Sequence, residues 1–258
     1  MSTLPTQVGA LAQRSIMRTV RQPASAIPPL VFPVALLLVN AGGLKSSTLL
    51  PGFPTDSFLA FALAVPFIQG ALFSTMNAGT DLARDIQTGF FSRLSLTPVR
   101  GSALLAGQLT GIVVLGVFQA VFYITAGLLL GVRFAAGPAG IALLLVYAAL
   151  VAVGFGALGS FLALRTGSGE SIQGLFPVLF VFLFISSMNT PRNLIAVPWF
   201  RFLASANPVS YLIECVRSLI ITGWDGEALA LGFGCAIGIA AVGIWASARA
   251  LRTRMLRT

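Results

Sequence analysis

The chain has 258 residues, 57% of them hydrophobic and only 9% charged, with a formal net charge of +9. A soluble domain carries about a quarter charged residues, so an ordinary globular fold is excluded and the long apolar blocks place the chain in a bilayer. The cations cluster at the ends of apolar runs, which assigns them to lipid headgroups and topology and not to nucleic acid, and the absence of histidine excludes imidazole metal sites and Ser-His or Cys-His catalysis.

Residues 3–21 form the first predicted element. Leu4, Val8, Ala12, Ile16 and Val20 recur every four residues, while Gln7, Arg14, Arg18 and Arg21 fall on another face. A basic face beside an apolar stripe predicts a helix lying in the membrane interface. Pro23, Pro28, Pro29 and Pro33 then break or kink the chain as it turns into the bilayer. No cleavable signal peptide is evident, and the first apolar run reads as a retained anchor.

Charge-free runs cover 22–44, 57–80, 101–132, 134–164, 171–191 and 228–248. Each reaches the roughly 20 residues that cross about 30 Å of hydrocarbon, so six transmembrane helices are predicted. Runs 101–132 and 134–164 exceed the need and imply tilt or helical ends outside the hydrocarbon. Gln69 and Asn77, eight apart in the second run, lie near one face, where they either contact cargo or bond between helices.

The second and third runs are joined by a charged block. On a helical wheel of 81–96, Asp81, Arg84, Asp85, Thr88, Ser92 and Ser95 share one arc, and Leu82, Ile86, Phe90 and Leu94 form the opposite stripe. Arg93 sits beside the stripe. Gly89 permits a bend, and Pro98 disfavours helix at Thr97 before the chain re-enters the membrane near Gly101. A plain connector needs about two to eight residues. A patterned block over 81–98 is more than that, and predicts an amphipathic helix that docks a soluble partner.

Phe176, Phe180 and Phe184 make an aromatic stripe in the fifth run, either a wall for substrate or packing between helices. Residues 192–227 carry Arg192, Arg201, Glu214, Arg217, Asp225 and Glu227, and their longest uncharged piece, 202–213, is too short to cross. Asn207 reads as an N-cap with Pro208 in the first turn, and Glu214 and Arg217 are spaced to pair at i,i+3. Two short helices at the membrane edge are predicted here. Cys215 and Cys235 have no spacing that demands a disulfide, and Cys235 reads as a small buried hydrophobe.

Placing the N-terminus in the cytoplasm puts eleven of the sixteen cations inside: Arg14, Arg18, Arg21, Arg84, Arg93, Arg100, Arg165, Arg249, Arg252, Arg254 and Arg257. Both termini then fall on that side. The six runs hold no Asp, Glu, Lys, Arg or His, which argues against coupling to a proton or sodium gradient. A phosphate loop is missing too: Lys45-Ser46 follows Leu44 and not glycine. Energy must come from a separate ATP-hydrolysing subunit, or the chain is a passive or secondary carrier. An enzyme is disfavoured, because no metal-ligand cluster, nucleophile with a base or paired intramembrane carboxylates occur.

Three stretches resemble the ABC-2 type transporter permeases, the class that includes daunorubicin-resistance-like and Nod-factor-export-like subunits. "DIQTGFFSRLSLTPVRGSALLAGQL" is similar to the family's G-x-x-x-R-L…P-V pattern through Gly89, Arg93, Leu94, Pro98 and Val99. "SGESIQGLFPVLFVFLFISSMNTP" resembles the fifth span and its exit. "VPWFRFLASANPVSYLIECVRSLIITG" places Pro198, Trp199, Asn207, Pro208 and Arg217 in the expected order. One departure is that many relatives carry Glu ahead of the coupling helix, where this chain has Asp81 and Asp85, whose pairing with Arg84 would be internal.

The resemblance implies an all-α integral membrane fold with a single domain over 1–258. It has six transmembrane helices, an interfacial connecting helix over 3–21, a cytoplasmic coupling helix over 81–98 and outer re-entrant helices over 192–225. It implies an ABC ATP-binding subunit and a second permease copy or paralogue as partners, with ATP and Mg on the partner and no cofactor on this chain. Coupling would fall to Arg84, Asp85, Gly89, Phe90, Arg93, Leu94 and Pro98, flanked by Arg14, Arg18 and Arg21. The outer gate would use Trp199, Asn207, Pro208, Glu214 and Arg217. The expected location is the plasma or inner membrane. Spans rich in Leu, Ala, Val and Gly favour a lipid-like or drug-like cargo, exported past Gln69, Asn77, Phe176, Phe180 and Phe184.

Overall fold

The computed structural model describes residues 4–21, 23–89 and 101–255. Every regular element among them is helical: α1 (Leu4–Arg21), α2 (Pro23–Gly43), a 3-10 turn (Lys45–Leu49), α3 (Phe58–Ala62), α4 (Ala64–Gln87), α5 (Gly101–Leu129), α6 (Gly137–Thr166), α7 (Gly169–Gln173), α8 (Phe176–Phe184), a second 3-10 turn (Arg192–Leu194), α9 (Pro198–Ala206), α10 (Pro208–Ile221) and α11 (Gly226–Met255).

Four helices among the described residues are long and apolar enough to cross a membrane: Phe58–Gln87, Ala103–Leu129, Gly137–Thr166 and Gly226–Met255. The first joins α3 to α4 through Leu63, which keeps helical angles (φ −59°, ψ −23°). It is the most buried of the four. Helices α2, α5, α6, α7 and α10 all pack on α4, and α6 also packs closely against α11. Small residues let these backbones meet: a Cβ on Gly159 of α6 would overlap the Thr75 carbonyl of α4, and one on Gly243 of α11 would lie 3.0 Å from the Gly154 carbonyl of α6. Helix α1 runs along the start of α5, with Leu11 over Gly107.

Run 22–44 is helical nearly end to end as α2 (Pro23–Gly43, 21 residues), whereas run 171–191 folds as the shorter apolar helix Gly169–Phe184. Charge marked the ends of α2 to within about a residue but was the wrong marker for the fifth run. Run 171–191 stops being helical at Phe184, where Ile185 takes φ −86°, ψ 44°, and Gly169–Phe184 reaches only about 24 Å at 1.5 Å per residue. In run 22–44, Pro28, Pro29 and Pro33 lie inside the helix without ending it. Pro33 has no N–H to give the Pro29 carbonyl one turn back, and the Tyr123 hydroxyl of α5 donates to that carbonyl instead.

The boundary expected at Asp81 is also absent. From Phe67 to Gln87 no proline interrupts α4, and charges alone do not end a helix. It ends where Gly89 adopts φ 69°, with the Thr88 N–H on the Arg84 carbonyl at 2.9 Å and the Gly89 N–H on the Ile86 carbonyl at 3.1 Å. Residues 81–87 are therefore the last two turns of the central helix and not a separate one.

Candidate functional site

Two ends of the bundle carry the polar chemistry. At one end, Asp85 on the last turns of α4 is gripped by Arg14 of α1, with Nη1 on Oδ2 at 3.0 Å and Nη2 on Oδ1 at 2.9 Å. The expected internal pair of Asp85 with Arg84 gives way to this two-pronged bond, because α1 lays its basic face against α4. Leu11, Asp81, Leu82, Leu104 and Gln108 surround the pair in a small cleft. Nearby, Gln87 of α4 donates to the Gly167 carbonyl at 3.2 Å, and Arg254 of α11 to the Leu164 carbonyl at 2.8 Å. The turn after α6 is thus tied to both α4 and α11. Neither Gln87 nor Arg254 stood out in the sequence, since a polar residue at a helix end is ordinary there.

Of the remaining candidates at this end, Arg84 is exposed and Gly89 forms the turn just described. Phe90, Arg93, Leu94 and Pro98 lie outside the described residues, as do the side chains of Arg18 and Arg21.

The opposite end is built around α10. Asn207 accepts from the Val209 N–H at 3.0 Å, the N-cap the sequence predicts, with Pro208 at the first position. Its amide nitrogen also donates to the carbonyls of Phe182 and Ile185, at 2.6 and 2.7 Å. One side chain therefore starts α10 and satisfies the open end of α8.

Arg217, 6% exposed, serves the irregular backbone that follows. Its Nε donates to the Phe61 carbonyl at 3.2 Å, and its Nη2 to the Ser187 and Met188 carbonyls at 3.0 and 3.2 Å. The guanidinium lies 3.5 Å above the Phe61 ring. Irregular backbone cut off from water survives only where a protein group satisfies it, and Arg217 does so at the Ser187 and Met188 carbonyls while its Nε ties them to the Phe61 carbonyl of α3. The expected i,i+3 pair with Glu214 is not made. Glu214 instead takes Arg192, at 2.8 and 2.6 Å. Partial burial pulls the Arg192 pKa down, but the bond and charge of Glu214, with help from Tyr211, outweigh it and leave the pKa above its ordinary value.

These groups border a cavity of about 540 Å³, lined among others by Phe61, Arg201, Ser205, Glu214, Arg217 and Asp225. Arg201, unremarked in the sequence except as a charge, donates its Nε to the Ile195 carbonyl at 2.7 Å. Trp199 faces outward, 65% exposed, on the opposite side of α9.

The remaining candidates lie along α4 and α8. Phe176, Phe180 and Phe184 form a row of tilted rings with centroids 4.6 and 6.2 Å apart, and Phe73 meets Phe176 at 5.2 Å. Phe32 of α2 touches both Phe73 and Phe180 at 6.1 Å, so this stripe packs α2, α4 and α8 together. Gln69 is wholly buried, and neither of its amide atoms meets a hydrogen-bond partner among the described residues. Asn77 is half-buried on the same helix. Two buried tyrosines were missed: Tyr123, on Pro29, and Tyr147, whose hydroxyl reaches the Leu212 and Gly232 carbonyls at 3.4 and 3.3 Å. A tyrosine inside an apolar run was the available signal, since its buried hydroxyl needs a partner.

Comparison with known proteins adds the family. The sequence model of the "ABC-2 type transporter" family matches residues 6–221. The chain is 30% identical over 202 residues to the daunorubicin resistance ABC transporter permease protein DrrB1 of Streptomyces coeruleorubidus, an alignment covering 74% of this chain and 65% of that one. It thus spans just under two thirds of that relative's length. Proteins named as transport permease ycf38 are also similar. That of Porphyra purpurea is 27% identical over 85% of this chain and 76% of its own, and that of Pyropia yezoensis 28% over 83% and 73%. With the family model spanning most of an all-helical, apolar chain, this protein belongs to the ABC-2 type transporter family.

Proposed function

We propose that the chain is the membrane-spanning subunit of an ATP-driven exporter that moves a hydrophobic or amphipathic molecule out of the cytoplasm. Its partners are an ABC ATP-binding subunit, which holds ATP and Mg, and a second permease copy or paralogue. In this reading the chain crosses the plasma or inner membrane six times. The four long helices are joined by α2 and by α7–α8, with both termini and the Asp85 end in the cytoplasm. Helices α9 and α10, about 14 and 21 Å long at 1.5 Å per residue, dip into the outer edge without crossing.

One observation carries the reading. The most buried helix of the bundle continues unbroken to Gln87, where Arg14 clamps Asp85. A push delivered to residues 81–87 therefore reaches the middle of the bundle along one continuous helix. Arg84, Asp85, Gly89, Phe90, Arg93, Leu94 and Pro98 make the contact with the ATPase, and Arg14, Arg18 and Arg21 brace it. The printed name of the daunorubicin-resistance relative supports a drug-like or lipid-like cargo.

The test is copurification with a candidate ATP-binding subunit, followed by ATPase measurement over a panel of drugs and lipids. A stable complex whose ATP hydrolysis rises with cargo supports the reading. Replacing Arg93→Glu or Leu94→Glu should abolish that rise while leaving membrane insertion intact, and an undiminished rise contradicts the docking role.

A further inference from the structure

The cavity at the Arg217 end has a charge imbalance that its own residues do not resolve. Arg217, on the floor, commits Nε and Nη2 to backbone carbonyls, and Arg201, exposed at the mouth, commits Nε and Nη2 to Ile195. A guanidinium carries five N–H donors, and among the described residues no protein acceptor meets Nη1 of either. The carboxylates beside them are largely engaged by other groups. Both oxygens of Glu214 accept from Arg192, and Asp225 Oδ1 accepts from the N–H groups of Glu227 and Ala228 at 3.0 and 3.1 Å. Three guanidiniums, of Arg192, Arg201 and Arg217, line the cavity against two carboxylates, of Glu214 and Asp225, so its lining carries a net positive charge. The volume, about 540 Å³, falls in the range of small-molecule sites.

The position of the mouth follows from α9, which is two-faced. Arg201 and Ser205 turn to the cavity, while Trp199, Phe202 and Leu203 are 65%, 72% and 40% exposed. An aromatic face of this kind sits at the boundary of headgroup and hydrocarbon. A ligand entering there has its polar end level with the cavity and its apolar end in the membrane.

We propose that this cavity binds a phosphate-class oxyanion borne on an amphipathic molecule, held between the guanidiniums of Arg201 and Arg217. Arginine suits the planar, two-oxygen face of such a group. The site stands on its own geometry, and its occupancy is measured without ATP or a partner subunit.

Native mass spectrometry of the full chain, released from detergent, tests it. The protein is titrated with phosphatidylglycerol or with monogalactosyldiacylglycerol of the same acyl chains, which lacks phosphate. Wild type should hold one phosphatidylglycerol preferentially. Arg201→Gln should weaken that binding roughly tenfold, the size of one charged hydrogen bond, and leave the galactolipid unchanged. Arg201→Lys should regain part of the loss. Ser205→Glu, which places a carboxylate one turn from Arg201, should weaken it as Arg201→Gln does. Displacement of the bound lipid by millimolar inorganic phosphate assigns recognition to the oxyanion alone, and retention assigns it to the oxyanion together with its apolar anchor. Equal retention of the two lipids by wild type, or undiminished phosphatidylglycerol binding in both Arg201→Gln and Ser205→Glu, overturns the proposal.

Discussion

Arg14 and Asp85 join a helix that precedes the first apolar run to the far end of the second, through two bonds of 3.0 and 2.9 Å. The Arg14 side chain is 42% exposed, so the pair contributes at most about 1 kcal/mol to stability. In the proposed exporter its role is transmission. Arg14→Gln or Asp85→Asn should leave thermal unfolding nearly unchanged yet cut cargo-stimulated ATPase activity of the assembled complex roughly fivefold, the lower end of ordinary coupling energies. Exchanging the charges, Arg14→Asp with Asp85→Arg, should recover part of it. Equal stimulation in all four proteins would remove the pair from the coupling path.

Asn207 does two jobs that substitution separates. Asn207→Ser keeps an acceptor for the Val209 N–H but withdraws the donors from Phe182 and Ile185, while Asn207→Ala withdraws both. Thermal melts in detergent should rank wild type above serine and serine above alanine. The second gap is about 1 kcal/mol, the worth of an N-cap. If serine and wild type melt together, the bonds to α8 carry no stability.

Arg217 should tolerate no replacement. Arg217→Met leaves three buried carbonyls without their donor, a loss on the order of 3 kcal/mol. Arg217→Lys should recover little, since an ammonium on a flexible stem cannot span carbonyls from Phe61 and Met188 at once. Limited proteolysis of the 185–197 segment reads the effect: cleavage should speed up in both variants, and a lysine variant as resistant as wild type would contradict the fork geometry.

Much of this was legible in the residues. The apolar stripe of Leu4 to Val20, the start of α10 at Asn207-Pro208 and the long runs around α5, α6 and α11 follow from local pattern. Partners across the fold did not. Glu214 and Arg217 sit at pairing distance along one helix, yet each finds a better partner from another element, and that choice depends on tertiary packing. Charge misled in a second way. Asp81 looked like a span boundary, but a helix ends at backbone chemistry such as Gly89, and the uncharged run 171–191 breaks inside itself.

Gln69 makes a different kind of prediction. A buried amide without partners costs about 1–3 kcal/mol, so Gln69→Leu should raise the melting temperature. If the amide is kept for cargo, the same variant should lose cargo stimulation of ATPase activity with basal activity retained. Loss of stability in Gln69→Leu would show that the amide is satisfied after all.

The central claim is that this chain moves cargo only when a nucleotide-hydrolysing partner drives its Asp85 end. Reconstituting the purified chain in liposomes, with and without the ATP-binding subunit, and following cargo against its gradient measures this directly. Uphill movement should require both the partner and ATP, whereas accumulation by the chain alone, under an ion gradient or none, would contradict the account.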